Sequence, residues 1–202
     1  MFRNFKVIDS HCHIYPEKIA SKAVGGTDRF YDIVSKCEGT IDDLLARGNK
    51  AGVDHFIVQS VATTPHQVET VNDYVAKMAY ENKGSIYAFG SLHQDYDNKI
   101  QEIDRCISMG LKGIKLHPDT QQFNVDDDKL LEAYDYMQGK LPLLLHAGDY
   151  RYDYSNPDHL VPVLKEFKNL TVRDVLLIFI TTVISCGLIF LVKRPDFYSI
   201  PI

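Results

Sequence analysis

The stretch that decides the fold is Val7–His13, which reads Val-Ile-Asp-Ser-His-Cys-His. The apolar run Phe5–Ile8 leads into two histidines that are separated by one residue, as at the end of a buried strand. Alternate residues of a strand point to the same side, so we expect His11 and His13 to project together while Cys12 points away. Neutral imidazole is a common ligand of divalent metals, and the pair therefore indicates a metal site, with two polar loop residues as the alternative.

A third histidine favours the metal site over the loop. His146 follows the apolar run Leu141–Leu145, which is typical of a strand that is covered on both faces. In folds of parallel strands and helices, chemistry concentrates at the carboxyl ends of the strands. His93 and His117 also follow predicted strands, whereas His55 and His66 are interpreted as solvated or helix-capping residues and His159 as a surface residue in a polar helix start. His146 is therefore the candidate third ligand.

Strands and helices alternate along the chain, about thirty residues apart, as in βαβ units. After the first strand, the predicted strands are Phe56–Val58, Ile86–Phe89, Leu111–Leu116, Leu141–Leu145 and the beginning of a sixth at Leu170–Val172. Predicted helices begin at Thr40, Thr64, about Asn98, Asp126 and Asn156. Between Ile14 and Gly39, proline and paired glycines predict a long irregular loop instead. This alternation predicts an α/β fold with a parallel sheet.

Length and composition exclude several classes of protein. The chain has 202 residues, which suits one domain but is short for a complete (β/α)8 barrel of about 250 residues. Its net charge is −5 without a basic stripe, so nucleic acid is not an expected partner. Its four cysteines form no CxxC pair, and the stretch Met1–Lys6 has no apolar signal region. These features predict a cytoplasmic protein.

The carboxyl-terminal part of the chain has a different character. Val175–Val192 reads VLLIFITTVISCGLIFLV and contains neither charge nor proline. This length is at the lower limit for a membrane-spanning helix, and a buried strand or core helix is the alternative. We expect an apolar helix in residues 173–192 that anchors the protein to a membrane, followed by a polar tail in residues 193–202.

Three stretches resemble the amidohydrolase-related metal-dependent hydrolases, the branch of the amidohydrolase superfamily that includes lactone hydrolases and decarboxylases. They are VIDSHCHIYPEKIA (7–20), GIKLHPDTQQF (113–123) and LPLLLHAGD (141–149). The resemblance covers roughly residues 5–172 and implies a (β/α)8 barrel with one divalent metal, usually zinc. It implies that His11, His13 and His146 are the metal ligands.

Lys115 and His117 lie two residues apart on the fourth predicted strand and therefore face the same way. The resemblance implies that His117 lines the substrate pocket, and we assign Lys115 to substrate binding as well. Two alternatives exist for Lys115. In binuclear relatives a lysine at this strand is carboxylated and bridges two metals, and a lysine inside a barrel can simply pair with an acid.

The chain departs from the family pattern in its last part. A histidine after the sixth strand and an aspartate after the eighth cannot be placed, because no histidine follows His159 and nothing after Val172 resembles the family. We therefore expect an incomplete barrel in residues 1–172, with five or six strands and an apolar carboxyl-terminal helix.

Three hypotheses for function follow. The first is a metal-dependent hydrolase, in which metal-activated water attacks a small ester, lactone or amide, or a related decarboxylase. The second is a membrane-tethered or truncated barrel fragment that binds metal or ligand without turnover. The third is a chain whose last thirty residues or so are an out-of-frame tail, because the pattern is lost abruptly at Val172.

Overall fold

The computed structural model describes residues 5–176 and 189–193. The strands are β1 (Phe5–His13), β2 (His55–Gln59), β3 (Ile86–Ala88), β4 (Gly90–Ser91), β5 (Ile114–Leu116), β6 (Leu143–Ala147), β7 (Val172–Leu176) and β8 (Ile189–Lys193). The helices are α1 (Glu17–Tyr31), α2 (Ile41–Ala51), α3 (Val68–Glu81), α4 (Lys99–Ser108), α5 (Pro118–Gln121), α6 (Asp128–Met137) and α7 (Pro157–Glu166), and a 3-10 turn, Pro65–Gln67, precedes α3. The chain is an α/β protein, as the alternation of elements predicts.

The described residues form two compact units. The first unit contains residues 5–59, 77–87 and 189–193, and the second contains residues 60–76 and 88–176. In the first unit the strands have the order β3-β2-β1-β8, with β1 parallel to β2 and antiparallel to β8. The register of β1 against β2 shifts between Asp9 and Cys12, immediately before the second histidine of the opening motif. Such a bulge changes the direction in which the neighbouring side chains point.

Residues 14–39 are mostly helical, so the predicted irregular loop is wrong. Pro16 is the N-cap of α1 and Glu17 lies in its first turn, where an acid suits the helix dipole. Gly25 and Gly26 misled the prediction, because each glycine costs a helix about 1 kcal/mol relative to alanine. Fifteen residues of helix absorb that cost here.

Helix α2 begins as its sequence predicts. The Thr40 hydroxyl accepts a hydrogen bond from the backbone N–H of Asp43 at 3.3 Å, and Gly52 ends the helix in the left-handed conformation with φ of 81°. Inside this helix, Gly48 is buried against the ring of Phe56 on β2. A Cβ atom at Gly48 would overlap the Phe56 ring, so the close approach of α2 to β2 requires glycine there.

The second unit has four parallel strands in the order β4-β5-β6-β7. Three of them, β5, β6 and β7, confirm the predicted fourth, fifth and sixth strands. The predicted third strand corresponds to β3 in the sheet of the first unit, and β4 was not predicted. Strands β5 and β6 pair in register, with Ile114 opposite Leu143 and Leu116 opposite Leu145. All four of these side chains are fully buried, which is why this part of the sheet reads as continuous apolar sequence.

The apolar run Val175–Val192 is strand at both of its described ends. Val175 and Leu176 belong to β7, and residues 189–192 belong to β8. The predicted helix is therefore wrong at these ends, and its remainder, residues 177–188, lies outside the described residues. Apolar runs do not by themselves distinguish a buried strand from a helix. Among the described residues, no helix has the length and apolar character to cross a membrane.

Replacement of Gly48 by alanine tests the approach of α2 to β2. Alanine normally stabilises a helix interior, but here its methyl group must displace the Phe56 ring. We expect Gly48→Ala to lower the free energy of unfolding by about 1–3 kcal/mol in urea titrations. Lys50→Ala, at an exposed position of the same helix, is the control and should change the stability little. A Gly48→Ala variant as stable as the parent would contradict this packing.

Candidate metal centre

His11 and His13 face each other in the first unit, as their spacing predicts. Their Nε2 atoms are 3.0 Å apart, and their ring centroids are 5.1 Å apart. Both rings are half-buried, whereas Cys12 between them is buried with its thiol directed to the backbone oxygen of Asp9. Two nitrogens bound to one zinc ion at about 2.1 Å would be separated by roughly 3.0–3.4 Å. In the absence of metal this contact is a hydrogen bond between the two rings, and its length also fits two ligands of one metal ion.

A second group of candidate ligands lies in the second unit. His117 follows β5, Asp119 lies in the first turn of α5, and His146 lies on β6. One ligand atom from each of these residues lies within 4.8 Å of the other two, and all three residues are buried. The imidazole rings of His117 and His146 stack at 3.9 Å, and His146 Nε2 is 3.6 Å from Asp119 Oδ2.

Burial controls the charge of this second group. Desolvation raises the pKa of Asp119 to about 6, with the charge of Asp149 adding to the rise and Ser155 opposing it. The Ser155 hydroxyl lies close enough to oppose the shift, but neither oxygen of Asp119 accepts a hydrogen bond of good geometry from a described residue. Desolvation also lowers the pKa of His146 to about 4. At neutral pH the group thus has a neutral imidazole and a carboxylate that Ser155 and Arg151 stabilise only in part, a combination that favours a bound cation.

Lys115 is fully buried in the second unit. No described residue forms a hydrogen bond with its Nζ, and desolvation lowers the pKa of this amine to about 7. The amine in turn contributes to the lowered pKa of His146. Pairing of Lys115 with an acid, one of its predicted alternatives, does not occur among the described residues.

Gln121 holds the segment that carries His117 and Asp119. Its Oε1 accepts the backbone N–H of His117 at 2.8 Å, while its Nε2 donates to the backbone oxygens of Leu92 and Ala62 at 2.7 and 2.8 Å. Gln121 is itself buried. A single amide side chain therefore joins α5 to two other segments of the second unit and fixes the position of His117.

The remaining histidines only partly match their interpretation. His66 is exposed, as expected, and His159 interacts with Asp126 and Asp153 at 2.9 and 3.4 Å near the surface. His55 was interpreted as a solvated or capping residue, which is wrong: it is buried at the start of β2, 3.0 Å from the amine of Lys6. The sequence could have indicated this burial, because His55 directly precedes the apolar strand Phe56–Val58.

The sequence-predicted residues thus fall into two groups. The first unit brings His11 and His13 together, and the second brings His146 together with the predicted substrate residue His117. Lys115 is buried on β5, the strand that His117 follows. Asp119 was missed. The sequence could have indicated Asp119 as a candidate ligand, because this carboxylate stands two residues after the strand-end histidine His117, in the segment His-Pro-Asp.

Parallel strands with histidines and an acid at their carboxyl ends define a class of α/β proteins whose ligand sites lie at that edge of the sheet. Within this class, the chain belongs to the amidohydrolase family, because its residues 8–172 match the family described as Amidohydrolase. The resemblance of the three sequence stretches to this family is confirmed. No curated protein matches the chain.

Solved structures show the same fold at low sequence identity. A 2,6-dihydroxybenzoate decarboxylase from Rhizobium has a TM-score of 0.60 and 16% identity, over 84% of this chain and 65% of that one. The 5-carboxyvanillate decarboxylase of Sphingomonas paucimobilis has a TM-score of 0.65 and 15% identity, and the match covers 84% of this chain and 67% of the decarboxylase. The 5-carboxyvanillate decarboxylase of Novosphingobium aromaticivorans, solved with manganese and 4-hydroxy-3-methoxy-5-nitrobenzoic acid, has a TM-score of 0.64 and 13% identity. This match covers 85% of the present chain and 65% of the decarboxylase. The chain spans about two thirds of the length of these proteins.

Replacement of Asp119 by asparagine tests whether its buried charge is uncompensated in the metal-free protein. A folded-state pKa of about 6 against an ordinary value of 3.8 means that stability falls as pH rises through this interval. With chelator present, we expect Asp119→Asn to raise the free energy of unfolding by about 2 kcal/mol at pH 7.5 and to have little effect near pH 4.

The control for this measurement is Asp97→Asn, which removes an exposed carboxylate from the same unit. It should show no comparable gain between pH 4 and pH 7.5. Equal stability of Asp119→Asn and the parent protein across this range would mean that the Asp119 carboxylate is compensated in the absence of metal.

Proposed function

We propose that this chain is a metal-dependent hydrolase or decarboxylase that acts on a small organic acid, ester, lactone or amide. The observation that carries the proposal is the buried group of His117, Asp119 and His146, in which one ligand atom from each of two imidazoles and one carboxylate lies within 4.8 Å of the other two. Membership of the amidohydrolase family supports metal chemistry, and the decarboxylases among the structural neighbours support an acid as substrate.

We propose His11, His13 and His146 as the ligands of one divalent metal. The 3.0 Å separation of the His11 and His13 nitrogens supports the first two, and burial that keeps His146 neutral supports the third. Zinc suits an all-imidazole set, although imidazole also accepts manganese and iron. The second candidate set is His117, Asp119 and His146, which the second unit supplies by itself.

When bound, a divalent metal would polarise the substrate or lower the pKa of water. Around it, we assign Lys115 and His117 to substrate binding. Lys115 can supply a buried positive charge to an anionic substrate once it takes a proton, because a pKa of about 7 leaves both forms populated near neutrality. Asp119 has a pKa of about 6 and can therefore accept a proton at neutral pH.

We further propose that the fold is an incomplete (β/α)8 barrel with five or six of its parallel strands. The support is the likeness to solved structures with TM-scores of 0.60–0.65 and the parallel order of β4 to β7. Binding of metal or ligand without turnover is the alternative function. It is favoured by the absence of any histidine after His159, since the family resemblance implies a histidine after the sixth strand.

Metal affinity of histidine variants separates the two ligand sets. If the proposed set holds the metal, His11→Asn, His13→Asn and His146→Asn should each lower zinc affinity at least about tenfold, while His117→Asn keeps it. Competition with a chromogenic zinc chelator gives the affinities, and decarboxylation of 2,6-dihydroxybenzoate gives activity. His66→Asn is the matched control, because it removes an exposed histidine.

If His117→Asn and Asp119→Asn lose zinc while His11→Asn and His13→Asn retain it, the second set is the metal site and the proposed set is wrong. Unchanged zinc affinity in all of these variants would contradict metal binding at either set. Zinc binding at the proposed set, without turnover of any acid, ester, lactone or amide, would favour the binding-only alternative.

A further inference from the structure

Gln59 ends strand β2 in the first unit, and its side chain is fully buried. Its backbone oxygen accepts a hydrogen bond from the backbone N–H of Ile14 at 3.2 Å. The side-chain amide differs from the backbone, because neither its Oε1 nor its Nε2 atom forms a hydrogen bond with any described residue. A buried amide without partners destabilises a fold, since both of its polar atoms have lost their hydrogen bonds to water.

Other buried amides of the protein show how the fold usually satisfies such groups. Asn72 and Gln121 are buried as well, and the amide of each is hydrogen-bonded through both its oxygen and its nitrogen. Gln94 donates through Nε2 to the backbone oxygen of Gln121 at 2.8 Å. Among the buried amide side chains of the described residues, Gln59 is the one in which both ends lack a protein partner. An apolar side chain of similar size would fill this position without the unpaired atoms.

Strand pairing places Gln59 beside the histidine pair of the first unit. Gln59 is the partner of His13 in the parallel ladder between β1 and β2. Paired residues of neighbouring strands, about 4.8 Å apart, point to the same face of a sheet, so the amide lies on the face of His13. The Nε2 atom of His13 is in turn 3.0 Å from that of His11. A small molecule that contacts this imidazole pair would therefore also meet the amide of Gln59.

The chemistry of the amide defines the ligand group that it suits. Its oxygen is an acceptor and its nitrogen is a donor, and the two atoms lie side by side on one planar group. A ligand that satisfies both atoms at once must also present a donor and an acceptor side by side, as a lactam does with its N–H and C=O. A lactone, an ester or a carboxylate has acceptors only, and each would leave the Oε1 atom of Gln59 buried and unpaired.

We infer that Gln59 is a ligand-binding residue whose amide pairs, through both of its ends, with an N–H and C=O edge of the substrate beside His11 and His13. This inference rests on the proposed function and narrows the group that Gln59 contacts to an amide. It assigns Gln59 a role in substrate specificity that is separate from metal binding.

The test compares two neutral probes, 2-piperidone and δ-valerolactone, which have the same ring size and differ in an N–H group against a ring oxygen. Ligand-observed NMR titrations of the full-length chain, with zinc and with chelator, give the affinities. We expect 2-piperidone to bind the parent protein about tenfold more tightly, since the lactone leaves a buried acceptor unpaired. Gln59→Met keeps the length of the side chain without its polar atoms and should abolish the preference. Gln101→Met, which removes an exposed amide from α4, is the matched control.

Unfolding in urea with chelator present checks the same residue without any ligand. Gln59→Met and Gln59→Leu should each raise the midpoint, because they remove two unpaired polar atoms from the interior. Asn72→Leu should lower it, because this change leaves the backbone N–H of Ser91 without the partner that it has in the parent protein. A lower midpoint in both Gln59 variants would mean that the amide is satisfied within the fold, and the inference would be wrong.

The outcomes also separate this inference from the proposed function. Equal affinities of the parent protein for the two probes, a preference that persists in Gln59→Met, or no binding of 2-piperidone would overturn the inference, while zinc binding and turnover of an acid or ester would still support the proposed function. A preference that depends on Gln59 in a protein that binds no zinc and turns over no substrate would support the inference and contradict the proposed function instead.

Discussion

The parallel register of β5 and β6 is the constraint on which the candidate site depends. Leu116 pairs with Leu145, and a histidine directly follows each of these leucines in the chain. Because the strands are parallel, both imidazoles leave the sheet at the same edge, and they stack at 3.9 Å. A slip of one residue would turn one histidine to the other face of the sheet. The fully buried leucines of both strands oppose such a slip, so core packing determines where the functional groups lie.

The buried ionisable groups of the candidate site lower the stability of the folded protein. Asp119 and Lys115 are ionisable groups buried without a full set of polar partners, and their shifted pKa values measure that cost. A protein selected only for stability would place apolar side chains at such positions. Groups with perturbed pKa values near strand ends indicate a candidate functional site. A bound cation and an anionic substrate would compensate the two charges.

The sequence predicted the strands and the strand-end histidines, because continuous apolar runs followed by polar residues are local signals. It did not predict the role of Asp119, because the burial of this carboxylate depends on segments distant in sequence. Gln121 was missed for the same reason: its partners Ala62 and Leu92 are 59 and 29 residues away. The helix α1 was missed because two glycines outweighed its good start, and the apolar run 175–192 was assigned as helix because length alone does not identify strand pairing.

The most direct test of the account is X-ray absorption at the zinc edge of the zinc-loaded full-length chain. We expect one zinc per chain with imidazole nitrogens at about 2.0–2.1 Å, and loss of this signal in His146→Asn, which removes a residue common to both candidate ligand sets. A spectrum with oxygen ligands alone, or an imidazole signal that persists in His146→Asn, would contradict a metal centre built on this strand-end histidine.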